Sequence, residues 1–113
     1  LDGLLGGLWE FPGGKQQEGE TLCECLKREL REELDIEVEV GEQLTVVHHA
    51  FTHFRITVYA FECRYLSPGE PKALGVDAWH WVTPDELDDY ALPVVDRKIA
   101  VVISDSWRQP RLM

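Results

Sequence analysis

Four leucines, Leu22, Leu26, Leu30 and Leu34, recur at four-residue intervals between Thr21 and Leu34, and an amphipathic helix gives them a common buried face. Glutamate, lysine and arginine fill the rest of the segment with good helix formers. Thr21 is placed to cap it, with Glu24 three residues on at the capping-box position. At about 100° per residue, Glu29 and Glu33 lie about 40° apart and Glu32 about 60° to the other side of Glu29. Three carboxylates therefore share a narrow arc, which overlaps Leu22, Cys25 and Leu26 at the edge of the buried stripe. Glu24, Lys27 and Arg31 take the opposite face.

A charge run is usually a solvated helix face with incidental ion pairs. Here that reading fits poorly, because like charges at Glu29 and Glu33 cost about 0.2–0.5 kcal/mol even on an exposed helix. Half-burial beside leucines raises the cost. A hard divalent cation, Mg²⁺ or Mn²⁺, converts the same arrangement into affinity, since it prefers carboxylate oxygens. Arg28, one turn before Glu32, either orients a carboxylate or forms an ordinary surface pair. Glu20, near the helix start, adds a fourth carboxylate or positions a water. Before it, Pro12, Gly13 and Gly14 demand a tight turn and let the backbone approach the helix closely.

The chain has 113 residues, 44% of them hydrophobic, enough for one core and one domain. Its formal charge is −10, and ten of the 21 acidic residues fall between Glu18 and Glu42. Such a balance disfavours unaided DNA or RNA binding and leaves a metal-carried phosphorylated ligand open. No stretch reaches the roughly 20 apolar residues of a membrane span, and the first residues lack signal-peptide character. The expectation is a soluble cytoplasmic protein with reduced thiols at Cys23, Cys25 and Cys63. Nothing in the residues specifies an oligomeric state.

Elsewhere the pattern alternates strands with helices. A short extended segment precedes the Trp9 to Gly14 loop. Ile36 to Val40 reads as one strand, Leu44 to His48 as a second, and Phe54 to Cys63, apolar on both faces, as a central strand. Ala78 to Val82 reads as a further strand. Thr83 and Pro84 open a short helix, and Val94 to Trp107 forms a last one with Val95, Ile99, Val102, Ile103 and Trp107 inward. Trp79, Trp81 and Trp107 read as core, and His80 takes no role. His48, His49 and His53 read as exposed or core histidines rather than zinc ligands. The class is α/β, or α+β with helices packed on a sheet.

Gly14, then five residues, Glu20, then seven residues and Arg28-Glu29-Leu30-Arg31-Glu32-Glu33-Leu34-Asp35-Ile36 resemble the Nudix box, residues 14–36 here. The run Trp9-Glu10-Phe11-Pro12-Gly13-Gly14-Lys15 is similar to the MutT branch, and the likeness covers nearly the whole chain. One departure is Asp35, where the family usually has glycine; aspartate tolerates the left-handed turn needed there. The resemblance implies a single domain over residues 1–113, an α/β/α sandwich around a mixed sheet, and Mg²⁺- or Mn²⁺-dependent hydrolysis of a nucleoside triphosphate, ordinary or oxidised, to monophosphate and pyrophosphate. It implies Glu29, Glu32, Glu33 and the Gly14 carbonyl as metal ligands, Arg28 as their orienter, and Glu20 as an aid to metal or water. Glu32 or Glu33 would serve as base. Phe11, Lys15 and Asp96 are the implied substrate contacts, Asp96 by accepting hydrogen bonds from a base edge; a helix N-cap is its alternative.

Two further departures accompany the box. Family members begin with another strand pair of roughly twenty residues, so the N-terminal strand region is expected to be truncated. The loop before Trp81 often holds one more glutamate, and Asp77 is the nearest substitute. A rival reading comes from Phe51-Thr52-His53-Phe54-Arg55-Ile56-Thr57 and the Leu4 to Gly13 segment, which resemble the C-terminal domain of MutY-type adenine DNA glycosylases. That domain recognises oxidised guanine in DNA without hydrolysing nucleotides. The complete glutamate set and the negative charge favour the hydrolase.

Overall fold

The computed structural model describes residues 4–5 and 7–108. The expected helix is α1, Leu22–Leu34. Thr21 Oγ1 accepts the Glu24 N–H at 3.1 Å and the Thr21 N–H donates to Glu24 Oε1 at 2.9 Å, so the capping box closes reciprocally. At the other end Asp35 is left-handed, with φ 55 and ψ 45. Its N–H donates to the Arg31 carbonyl at 3.0 Å, the five-to-one bond of a left-handed cap, and the Ile36 N–H reaches back to Leu30 at 3.5 Å. Two more end carbonyls are met by a distant loop: Leu74 and Gly75 N–H groups reach Glu33 O, both at 3.0 Å, and Lys72 N–H reaches Leu34 O at 2.8 Å.

After α1 the chain forms one hairpin rather than the expected short strands. Strand β3, Val38–Ala50, pairs antiparallel with β4, Arg55–Tyr65. The two strands expected at residues 36–40 and 44–48 are continuous, because β3 absorbs irregularities between Val40 and Gln43 and between Gln43 and Thr45. Bulges break the two-residue alternation without ending the ladder. Gly41 lies in the first, where a Cβ would meet the Glu62 carbonyl at 3.0 Å. Among the described residues β4 pairs with β3 alone, and Tyr59 on it is exposed, so its expected central position is not what the described sheet shows. Phe51 N–H donates to Phe54 O at 2.7 Å across the hairpin end, where the two rings stack with centroids 4.7 Å apart.

Upstream, β1, Leu4–Leu5, pairs antiparallel with β2, Leu8–Trp9, and the Trp9 N–H donates to Ala91 O at 2.8 Å. The rest of the opening segment lies outside the described residues. Downstream, a 3₁₀ helix covers Pro84–Asp89, with Glu86 Oε1 accepting from the Thr83 N–H and hydroxyl. Helix α2 runs over Val94–Arg108.

Two apolar clusters hold these pieces together. Leu30 and Leu34 of α1 pack with Ile36 and Val38, flanked by Leu26, Val40, Tyr65, Val76 and Trp79. Val95 and Ile99 of α2 pack with Val47, flanked by Phe11, Ile56, Val58 and Ala60. Burying a side chain of this size contributes roughly 1.5–3 kcal/mol. Ile56, Val58 and Ala60 are alternate β4 positions and Tyr65 falls on the other parity, so α1 and α2 cover opposite faces of the hairpin. This is the expected α/β/α layering, with antiparallel pairings only among the described strands.

Three aromatic and strand expectations change. Ala78 to Val82 contains a single bridge residue, Trp79, rather than a strand. Trp81 and Trp107 are 55% and 58% exposed, so neither is core. Trp81 instead donates its indole N–H to Glu70 Oε2 at 3.0 Å and meets Tyr65 edge-on. A helical period at residue 107 predicts a face, but a face is buried only where a neighbouring element covers it, and Trp107 remains exposed. No described helix is long and apolar enough to cross a membrane.

Candidate active site

Arg28 organises the acidic arc. Its Nε donates to Glu20 Oε2 at 2.6 Å and its Nη2 to Glu20 Oε1 at 3.1 Å, a two-pronged pair. Its Nη1 turns the other way, to Glu29 Oε1 at 2.8 Å and Glu32 Oε2 at 3.2 Å. One guanidinium thus joins three of the four glutamates that the sequence singles out. The Glu20 and Glu29 side chains are only 13% and 16% exposed, whereas Glu32 is 60% exposed. Partial burial strengthens the first two pairs and leaves Glu32 facing solvent. The hydrogen bonds from Arg28, with a further one from the Gln17 N–H, hold the Glu20 carboxyl at about 2. Bonding to Glu20 likewise pushes the Arg28 pKa further up.

The loop before α1 is pressed into this network. A Cβ on Gly14 would overlap the Glu29 carboxyl group, so only glycine lets the backbone come this close. The Gly14 carbonyl accepts the Cys25 thiol at 3.7 Å, and the Lys15 carbonyl accepts Arg28 Nη2 at 3.2 Å. Lys15 itself is exposed. At the C-terminal end of α1, the loop carrying Gly75 lies 3.3 Å, by its would-be Cβ, from Glu33 Cα. Asp77, the expected stand-in for a further glutamate, is exposed, and Gly75 makes the contact with α1.

The expected substrate residues form a second group. Phe11 packs against Val47, Val95 and Ile99, and its N–H donates to Asp96 Oδ2 at 2.8 Å. Asp96 lies in the first turn of α2, past its start at Val94, and is therefore not the N-cap. Burial pushes the Asp96 carboxyl up, against the pull of the Phe11 N–H. Burial and then the Asp96 charge push Glu10 up as well. A small apolar recess lined by Pro12, Leu34, Ile36, Pro71, Trp79, His80 and Trp81 borders the loop but contains none of the carboxylates. His80, which sequence reasoning left without a role, bonds the Tyr90 hydroxyl through Nδ1 at 2.8 Å. His48 bonds Thr57, and His49 meets Phe51 edge-on.

Do these residues fit a divalent cation? Among the described residues no three acidic, histidine or cysteine side chains already stand as a closed shell, and Arg28 lies among the carboxylates. The donor chemistry does fit: three glutamates on one helix arc supply hard oxygens, and the glycine cradle brings the loop backbone against Glu29. Cys25 is the residue that the sequence reading missed. Its place on the arc, one turn before Glu29, follows from helix geometry, but its bond to the Gly14 carbonyl does not.

A family model described as NUDIX domain matches residues 1–101. The chain belongs to the Nudix family. Similar proteins are of the MutT type. It is 46% identical over 61 residues, 54% of each chain, to 8-oxo-dGTP diphosphatase of Proteus vulgaris. It is 37% identical over 90 residues to CTP pyrophosphohydrolase of Escherichia coli K12, covering 80% of this Nudix chain and 66% of that protein. The solution structure of the E. coli ORF135 protein superposes with a TM-score of 0.78 at 31% identity, over 90% of this chain and 72% of that one. The chain thus spans about half to two thirds of the curated relatives it matches. Nudix hydrolases generally use a divalent metal, and the acidic arc is where this chain has the oxygens to hold one.

Proposed function

We propose that this Nudix chain hydrolyses a nucleoside triphosphate to nucleoside monophosphate and pyrophosphate. The observation that carries the reading is the convergence of Glu20, Glu29 and Glu32 on Arg28 with Gly14 packed against Glu29. Glu29, Glu32, Glu33 and the Gly14 carbonyl would hold Mg²⁺ or Mn²⁺, which when bound screens phosphate charge and acidifies a water. The chain's own contribution is positional. Glu20 grips the Arg28 fork from one side, and Arg28 holds Glu29 and Glu32 from the other, so the arc keeps its shape without long side chains wandering. Glu32 or Glu33 removes a proton from the attacking water as its oxygen bonds to phosphorus and the phosphoanhydride P–O bond breaks.

Phe11 and Asp96 form the base-recognition corner. One Asp96 oxygen is occupied by the Phe11 N–H, which fixes the carboxyl plane while leaving acceptor capacity for an amino or imino group on a guanine-like or cytosine-like base. The names of the relatives, an 8-oxo-dGTP diphosphatase and a CTP pyrophosphohydrolase, support both classes. Lys15, exposed at the loop, is a candidate phosphate contact. The protein is expected to work in the cytoplasm.

A hydrolysis panel over canonical and oxidised nucleoside triphosphates, run on the full-length protein with Mg²⁺ or Mn²⁺, tests the reading. Turnover with pyrophosphate release, lost by at least about a hundredfold in Glu32→Gln or Glu33→Gln, supports it. Absence of turnover together with tight binding to duplex containing oxidised guanine would transfer the chain to the DNA-recognition reading.

A further inference from the structure

Cys25 and Arg28 stand one turn apart on α1 and donate to consecutive carbonyls of the preceding loop, the thiol to Gly14 and Nη2 to Lys15. The thiol sulfur also accepts from Arg28 Nη2 at 3.9 Å, which links the two donors. Cys25 is buried at 5% exposure. Its thiol also interacts with the Glu20 carboxyl, but no step of the proposed hydrolysis passes through the sulfur.

We propose that Cys25 is a positioning residue: its thiol, acting with Arg28, clamps the Gly14–Lys15 backbone against α1 and fixes where the Gly14 carbonyl points. The inference rests on the reading that Gly14 and Glu29 serve metal-dependent hydrolysis. Its physical basis is space and valence. Gly14 has no room for a Cβ beside Glu29, which holds the loop close to α1, and the buried Cys25 thiol meets that loop at the Gly14 carbonyl. Alanine satisfies the volume but leaves a part-buried carbonyl with one partner fewer. A thiol adds a donor at almost the same size, and a carbonyl with two lone pairs can accept it and still offer oxygen to a cation. Arg28 alone holds the loop one residue further on, at Lys15. The Gly14 peptide would then be free to rotate between the two.

The test is a comparison of wild type, Cys25→Ala and Cys25→Ser in three measurements: hydrogen exchange of the Gln17 amide, Mn²⁺ binding by electron paramagnetic resonance, and steady-state turnover at varied metal concentration. The Gln17 amide reports on the loop because it donates to Glu20 Oε1 at 3.0 Å. The clamp predicts faster Gln17 exchange and about three- to tenfold weaker Mn²⁺ binding in Cys25→Ala, the range set by one hydrogen bond. Saturating metal should return kcat to within about twofold. Cys25→Ser, which keeps a donor, should recover most of both effects. Wild-type exchange and affinity in Cys25→Ala would overturn the proposal, as would equal losses in both variants that simply track urea stability. If wild type turns over no nucleotide yet Cys25→Ala still loosens Gln17 and Cys25→Ser restores it, the proposed function fails and the clamp stands.

Discussion

The Phe11 N–H donates to Asp96 Oδ2 at 2.8 Å and joins residues 85 positions apart. This bond ties the loop that leads into the acidic helix to the first turn of α2. The expected base reader is thereby also a structural tether, and its two duties can be separated by substitution.

Asp96→Ala removes the acceptor and leaves the Phe11 N–H without its partner. The expected loss is about 1–3 kcal/mol of stability in urea unfolding. Asp96→Asn keeps an acceptor and should lose less. Because burial raises the Asp96 pKa above its ordinary 3.8, its favourable contribution is present below 3.8 and lost as pH rises through the folded value. The stability of wild type relative to Asp96→Asn should therefore decline as pH rises from below 3.8 through that value; a flat difference would contradict it.

Glu20 behaves in the opposite sense. Its carboxyl is held at about 2 against an ordinary 4.5 by the Arg28 fork and the Gln17 N–H. The associated stability is present above 4.5 and lost as pH falls through about 2. Carboxyl-detected nuclear magnetic resonance should find the Glu20 midpoint near 2 in wild type and shifted back towards 4.5 in Arg28→Ala. Arg28→Lys should restore little of it, since an ammonium cannot hold Glu20 with two parallel prongs and reach Glu29 as well.

Gly14→Ala places a methyl group on the Glu29 carboxyl. The obstructing atoms are the far end of a flexible side chain, so the fold should survive, with a melting temperature within about 4 °C of wild type. Glu29 must then swing out of the arc. Catalytic efficiency should fall at least about tenfold, most steeply at low metal concentration. An unchanged metal dependence would show that Glu29 has no part in binding it.

Thr21→Ala opens the capping box by removing the oxygen that accepts the Glu24 N–H. The expected cost is about 1 kcal/mol in thermal or urea unfolding. Thr21→Ser should cost a few tenths of that, because the hydroxyl is retained.

Helix α1 was legible residue by residue, since its cap, its leucine stripe and its left-handed end are all local features. The same holds for α2, whose apolar period fixes its register on the hairpin. Strand β3 was not legible as one element: its two irregularities around Gln43 interrupt the alternation that defines a strand. Trp81 and Trp107 were misplaced because size and periodicity say which way a ring faces, while tertiary neighbours decide whether anything covers it. In the site, the shared arc of Glu29, Glu32 and Glu33 follows from helix geometry alone. The convergence of Glu20 on Arg28, the Cys25 thiol on Gly14 and the Asp96 tether all depend on loops folding back, which no spacing along the chain encodes.

The left-handed end of α1 makes a demand on a backbone angle, and Asp35 meets it with a side chain where glycine would serve by having none. A signature spelled in letters pronounces this chain defective at its last glycine. The same signature spelled in φ and ψ would find it intact, and would group it with chains that share its turn rather than its alphabet.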